Sequence, residues 1–189
     1  MIAAARRLRP LDFHRPGIRF EGYRRLMRYH LAQLNLGRLV APLTSPELQG
    51  FVEALDPINA LADAAPGFVW RLQTEDGDAT AVRAVDDDMI IVNMSVWESL
   101  EALADYVYRS DHQQIMRGRR QWFERMSEAF QVLWWVPEGH RPPVTEAIER
   151  LEVLRANGPS PEAFTFRTPF PPPGTAELPA PELEGCSAE

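Results

Sequence analysis

Strand and helix patterns alternate along this chain in an order that few folds can accommodate. Four segments have the alternating or continuous apolar character of β-strands: residues 30–36, 68–73, 89–97 and 130–136. Apolar residues at helical spacing follow the first strand, after Ser45 and Pro46, and the third strand, after Ser99. Two such β-α-β units form the split-βαβ pattern, in which an antiparallel sheet carries helices on one face. The sequence therefore predicts an α+β, ferredoxin-like domain.

The third strand indicates how that sheet is covered. One of its sides is entirely apolar, through Ile90, Val92, Met94 and Val96. An apolar side of a sheet has to be buried, and a second copy of the chain is the simplest cover. We therefore expect a homodimer built as a dimeric α+β barrel. A further helix is predicted at residues 144–157.

Both ends of the chain differ in composition from the middle. Residues 1–28 hold eight arginines and only two acidic residues, which predicts a disordered N-terminal extension; a targeting segment or a contact with an anionic surface are the alternatives. Residues 168–189 are rich in proline and acidic side chains, which predicts a disordered tail. The remaining residues, 29–167, are predicted to form the barrel domain.

Charge and cysteine content exclude several classes of protein. The net charge of the 189 residues is −7, and without the basic N-terminal extension the remainder is more acidic still, which argues against nucleic acid as the main partner. The single cysteine, Cys186, cannot build a disulfide scaffold. No apolar run approaches the length needed to cross a bilayer, about 18 residues. We expect a cytoplasmic protein that does not bind membranes.

Sequence motifs for common chemistries are absent. The chain has no nucleophile elbow, no phosphate-binding loop and no Cys/His spacing of a zinc site. A metal site would require His112 and His140 to meet, and no pair of ligands at helical spacing supports one. We therefore predict no metal site.

Polar residues at positions where apolar ones are expected mark a candidate pocket. Asn93, Ser95 and Trp97 share one side of the third strand, and Asn35 lies with Gln33 on one side of the first. A helix predicted from Ser110 to Met126 carries three further candidates on its inner side: His112, Arg119 and Trp122. If these sides converge, they form a pocket with aromatic walls, completed by Trp70 or Trp134, for a small, largely apolar or aromatic ligand.

Each candidate also has a purely structural interpretation. The tryptophans could belong to the core, His112 could be exposed, and the arginines around Arg119 could form a solvated surface. His140 follows the fourth strand in a proline-rich turn, where it could gate a pocket mouth, bind an anionic ligand or simply shape the turn into the last helix.

Several separated segments resemble a bacterial family defined only as domain of unknown function 3291. They are HLAQLNLGR, PGFVWRL, VNMSVWESLEAL, YRSDH, LWWVPEGHRPP and FTFRTPFPPP, and they span residues 29–173. The resemblance implies no activity, because none is established for the family.

A more remote resemblance concerns the end of the third strand. Asn93, Trp97, Glu98 and Ser99 are similar to the corresponding turn of the antibiotic-biosynthesis monooxygenase group of dimeric α+β barrels. That resemblance implies a cofactor-independent oxygenase acting on an aromatic or polyketide-like molecule, and it maps Asn93 and Trp97 by position and His112 only loosely. Our hypothesis for such an enzyme makes His112 the general base, Asn93 and Trp97 the donors and Arg119 the cation. The alternatives are a non-catalytic binding or sensing module and a haem-binding or haem-degrading protein. The position of His112 departs from the haem-binding pattern.

Overall fold

A single four-stranded antiparallel sheet organises the molecule. The computed structural model describes residues 28–75, 77–82, 85–109 and 118–175. The strands lie in the order β2-β3-β1-β4, and every neighbouring pair is antiparallel. This is the strand order of a split βαβ unit repeated once, so the predicted ferredoxin-like α+β fold is confirmed.

The elements follow one another as the sequence pattern predicted, with a few altered limits. The strands are β1 (Tyr29–Arg38), β2 (Phe68–Arg71), β3 (Ile90–Trp97) and β4 (Gln131–Pro137). The helices are a 3-10 turn (Pro46–Leu48), α1 (Gln49–Asp63), α2 (Leu100–Arg109), α3 (Arg119–Trp122) and α4 (Val144–Asn157). No helix within these described ranges has the length and apolarity to cross a membrane.

The strand register divides the sheet into two faces of different chemistry. Residues directly opposite one another across antiparallel strands project to the same side. We call one side the aliphatic face, made by Ala32, Leu34, Leu36, Val92, Met94, Val96, Val132, Trp134 and Val136. We call the other the amide face, made by Leu31, Gln33, Asn35, Ile91, Asn93, Ser95, Trp97, Gln131, Leu133 and Trp135.

The aliphatic face is covered by the last helix of the same chain. Ala147, Leu151 and Leu154 of α4 join its side chains in one buried cluster. Met94 and Val96, in the middle of the sheet, are 1% and 0% exposed. A second subunit is therefore not needed to bury this face, and the homodimer stays a prediction.

The amide face carries α1, α2 and two apolar clusters at opposite ends of the strands. We call the first the indole cluster: Leu31, Trp97, Leu100, Leu103, Leu133 and Phe164. We call the second the phenyl cluster: Leu39, Leu48, Phe51, Ile91 and Phe123. Tyr106 of α2 stacks on Trp97, and its hydroxyl donates to the backbone oxygen of Ile58 in α1, so the two helices lie side by side on this face.

The helix predicted from Ser110 to Met126 differs from the structure in its second half. Residues 110–117 lie outside the described residues, and the helix that follows them ends at Trp122. Phe123 is extended and forms a bridge with Leu39, and the amide of Glu124 donates to the carbonyl of Arg38 at 2.8 Å. Pairing with the end of β1 satisfies the backbone hydrogen-bonding groups of this segment. The helix therefore ends at Trp122 although the apolar spacing in the sequence would allow it to continue.

The C-terminal segment is also more structured than its composition indicates. Phe164 bridges Leu133 of β4 through two backbone hydrogen bonds of 2.8 and 2.9 Å. Beyond the predicted boundary at 168, Phe170 packs near Phe164 and its carbonyl accepts a hydrogen bond from the Trp135 indole at 2.7 Å. Phe164 and Phe170 anchor this segment to the sheet as far as residue 170.

Candidate functional site

Three amide side chains form a row across the middle of the amide face. Asn35 of β1 lies directly opposite Asn93 of β3 on one side and Gln131 of β4 on the other. Directly opposed side chains have Cβ atoms about 5 Å apart, so the three amides span about 10 Å across three strands. We call this set the amide row. It offers hydrogen-bond donors and acceptors and no formal charge.

The amide side chain of Gln33 fixes the orientation of the Asn93 amide. Gln33, only 7% exposed, donates through Nε2 to Oδ1 of Asn93 at 2.9 Å. That bond occupies the Asn93 oxygen on the sheet side. Asn93 is itself exposed, so its NH₂ group is the part left to meet a ligand.

The indole cluster closes one end of the site. Trp97 is 1% exposed, its Nε1 donates to the hydroxyl of Ser95 at 2.8 Å, and its ring packs edge-on against Phe68. The indole N–H is therefore used within the protein. Trp97 forms a wall behind the amide row and is not a donor aimed into it.

Tyr106 completes this wall, and the pKa of its phenol is raised. Its ring stacks on Trp97 with centroids 5.0 Å apart and planes inclined by 28°. Burial, helped by the nearby Asp63 carboxylate, raises the pKa of the phenol to about 12. Tyr106 is therefore neutral and cannot serve as a base at neutral pH.

The phenyl cluster closes the other end. Gly37 lies two residues beyond Asn35 on the same side of β1, and Phe123 occupies the space above it. A Cβ atom at Gly37 would lie 2.6 Å from Cε1 of Phe123, so only glycine allows the ring to sit there. Ile91, opposite Gly37, extends the same apolar end. The amide row is thus a polar strip between two apolar clusters.

The structure brings some predicted site residues together and separates others. Asn35, Asn93 and Trp97 share the amide face, whereas Trp70 and Trp134 pack into the cluster on the aliphatic face. The sheet itself separates those two tryptophans from the amide row. His112 lies outside the described residues.

The remaining predicted residues make contacts of their own, and Trp122 packs against the phenyl cluster. Arg119 is exposed, with its guanidinium 5.9 Å from the ring centroid of Phe130, and Trp122 packs on Gly50 and Phe51. His140 contacts the carboxylate of Glu146 at 2.8 Å, beyond the end of β4. Within the described segments, no group of three or more His, Cys, Asp or Glu side chains is placed to hold a metal ion.

Sequence reasoning missed three residues that shape the site. The alternation of side chains along β4 places Gln131 on the same face as Leu133 and Trp135, so the sequence alone could have indicated its side of the sheet. Its position opposite Asn35 depends on the register of β4 against β1, which the pattern does not contain. Gly37 and Phe123 meet only because residues 122–124 fold back along the end of β1.

The topology defines a ferredoxin-like α+β domain with a polar strip on the side of its sheet that carries α1 and α2. The chain belongs to the family described as domain of unknown function (DUF3291), whose model matches residues 30–180. No curated protein matches the chain.

Two solved structures share a distant likeness with the chain, and each is named a "putative antibiotic biosynthesis monooxygenase". The one from Nitrosomonas europaea is 13% identical, with 62% of this chain and 94% of that chain covered and a TM-score of 0.38. The one from Chloroflexus aurantiacus is 14% identical, with 61% of this chain and 98% of that chain covered and a TM-score of 0.37.

Proposed function

We propose that the chain binds a small aromatic molecule across the amide row and promotes its oxidation by dioxygen without a cofactor. The observation that carries the binding step is the exposed Asn93, whose oxygen is held by Gln33 so that its NH₂ group faces outward. An amide donor of this kind recognises a carbonyl, phenol or phenolate oxygen. The oxidation step rests on the sequence resemblance at Asn93, Trp97, Glu98 and Ser99.

The apolar clusters on both sides of the row support an aromatic ligand. A flat ring system can lie over the amides, with its faces and edges against Phe123 and Ile91 at one end and the indole cluster at the other. Binding sites for small molecules combine such apolar walls with a few placed polar groups. The described row contains no charged side chain, which favours a neutral ligand.

The proposed reaction begins with removal of a proton from an acidic C–H or phenol group, for which His112 is the candidate base. In an anthrone-type substrate the ring methylene would become a carbonyl: one oxygen atom of O₂ enters the product and the other leaves as water. Asn93 would donate to the oxyanion that develops on the ring. Because its N–H is bound to Ser95, Trp97 serves in this proposal as a wall and not as a second donor.

Oxygen uptake by the purified protein with anthrone as substrate tests the proposal. We expect uptake by the wild type and at least a tenfold lower rate for Asn93→Ala, since losing one donor to a developing oxyanion costs roughly 10²–10³ in rate. Gln73→Ala is the matched control, because Gln73 is an exposed amide that follows β2 and lies outside the row. Equal rates for wild type and Asn93→Ala, or no uptake at all, would reject the oxygenase.

A non-catalytic binding or sensing module is the second candidate. The donation of the Trp97 indole to Ser95 favours it, because one of the two proposed donors is then missing. This candidate predicts that anthrone raises the melting temperature of the wild type without oxygen uptake, and that Asn93→Ala reduces the shift. If anthrone changes neither melting nor oxygen level, both candidates fail.

A further inference from the structure

Phe123 lies at one end of the site, and pairing with the end of β1 fixes its backbone. The amide of Val40 donates to the carbonyl of Trp122 at 3.0 Å, and the amide of Glu124 donates to the carbonyl of Arg38 at 2.8 Å. Phe123 itself bridges Leu39 between these two bonds. Its backbone is therefore held as an added strand segment at the end of β1.

The ring of Phe123 is held as firmly as its backbone. It occupies the space left by the missing side chain of Gly37 and meets Phe51 edge-on, with centroids 5.3 Å apart and planes at 85°. A ring fixed between a backbone and a second aromatic ring cannot rotate away without opening a void. Phe123 nevertheless remains only half-buried, so part of it still faces open space.

The position of that ring limits one dimension of the site. Successive residues on one face of a strand are about 6.6 Å apart, so Gly37, with Phe123 above it, lies a single step from Asn35. On the opposite side of the amide row, Gln33 and then the indole cluster set the second limit. A ligand can extend across the strands along the row, but along the strand direction it meets Phe123.

We propose that Phe123 determines specificity by limiting the width of the ligand along the strands, an inference that rests on the proposed binding function. A linear ring system lying along the row fits between Phe123 and the indole cluster. A ring system broadened on one side collides with the Phe123 ring. Shortening this side chain therefore widens the range of ligands without changing the polar groups that hold them.

Dissociation constants for two neutral probes test the inference. Anthrone is linear, and benzanthrone carries an additional ring fused at its side. The wild type is expected to bind anthrone more tightly, and Phe123→Ala is expected to shift the ratio of the two constants toward benzanthrone about tenfold, a typical effect of pocket shape on discrimination. Phe123→Leu, which disturbs packing less, should shift the ratio in the same direction by a smaller factor.

Phe130→Ala is the matched control, because Phe130 lies in the same connection but packs with the aliphatic-face cluster. It should leave the ratio unchanged. If Phe123→Ala and Phe123→Leu weaken both probes equally or leave the ratio as in the wild type, Phe123 does not set specificity, while the binding function stands. If the wild type binds neither probe, the proposed function and this inference fall together.

Discussion

Burial of the Tyr106 phenol in the wall of the site makes the stability of the fold depend on pH. Its phenol is largely buried against Trp97, and its pKa rises from 10.0 to about 12 mainly because burial disfavours the phenolate. The unfolded chain releases this proton near the ordinary value, whereas the folded chain keeps it. The stability that neutral Tyr106 contributes is thus complete below pH 10 and is lost as the pH rises toward 12.

This linkage gives a prediction at alkaline pH. The free energy of unfolding of the wild type should fall between pH 10 and pH 12, and Tyr106→Phe, which cannot ionise, should show a shallower fall. Urea unfolding followed at several pH values measures both slopes. Identical slopes for the two proteins would mean that Tyr106 titrates at its ordinary pKa.

At the scale of single residues, alternation alone predicted part of the site. It placed Asn35, Asn93 and Trp97 on sides that the register then brought together. It could not reveal that the Trp97 indole binds Ser95, because that depends on a side-chain rotamer. It also could not exclude Trp134, since a nearly continuous apolar strand does not show which side bears the site.

Among the elements, α4 is joined to β4 by a carboxylate in addition to its apolar packing on the sheet. Glu146, in its first turn, accepts from the buried Trp134 indole at 2.9 Å through one oxygen and contacts His140 at 2.8 Å through the other. The residue that precedes the helix is Pro143, which supplies no side-chain cap. Glu146 therefore joins β4, the following turn and α4.

Removing that carboxylate should weaken the whole fold. Glu146→Ala leaves the Trp134 N–H without its acceptor, and we expect a loss of about 1–3 kcal/mol of unfolding free energy. Glu146→Gln keeps an acceptor oxygen and should lose less. Urea denaturation compares both with Glu149→Ala, an exposed position on the same helix. A loss for Glu149→Ala as large as that for Glu146→Ala would contradict the role assigned to Glu146.

Some elements follow from local sequence patterns, whereas others depend on contacts between distant residues. The limits of α4 follow from its apolar spacing and from Gly158, which adopts a positive φ of 73° after the helix. The pattern from Arg119 to Met126 is equally helical, yet Phe123 leaves the helix to pair with Leu39. Long-range backbone pairing of this kind leaves no local signal in the sequence.

For the whole molecule, the covering of both sheet faces comes from one chain. The C-terminal segment contributes Phe164, which is 0% exposed against the amide face, and the carbonyl that binds the Trp135 indole. Composition alone predicted a boundary at residue 168, whereas the contacts continue to Phe170.

Two truncations test this boundary. A chain ending at residue 175 keeps every contact described above and should melt at the wild-type temperature. A chain ending at residue 162 loses Phe164 and Phe170 and uncovers Leu133, so it should melt at a clearly lower temperature, since burying one large apolar side chain contributes about 1.5–3 kcal/mol. Thermal denaturation of the two truncated chains tests this prediction. Equal melting temperatures for the two chains would show that residues 163–175 add nothing to stability.

The bridge between Leu133 and Phe164 also has a consequence for how copies of the chain can meet. It places the chain's own backbone along the outer border of β4, so a neighbouring molecule cannot extend the sheet there. Within the described residues, the border of β2 is the other end of the sheet, and it offers only four residues for such growth. A homodimer that shared one continuous sheet would therefore have only the short β2 border to pair through, and any other arrangement would associate through side chains.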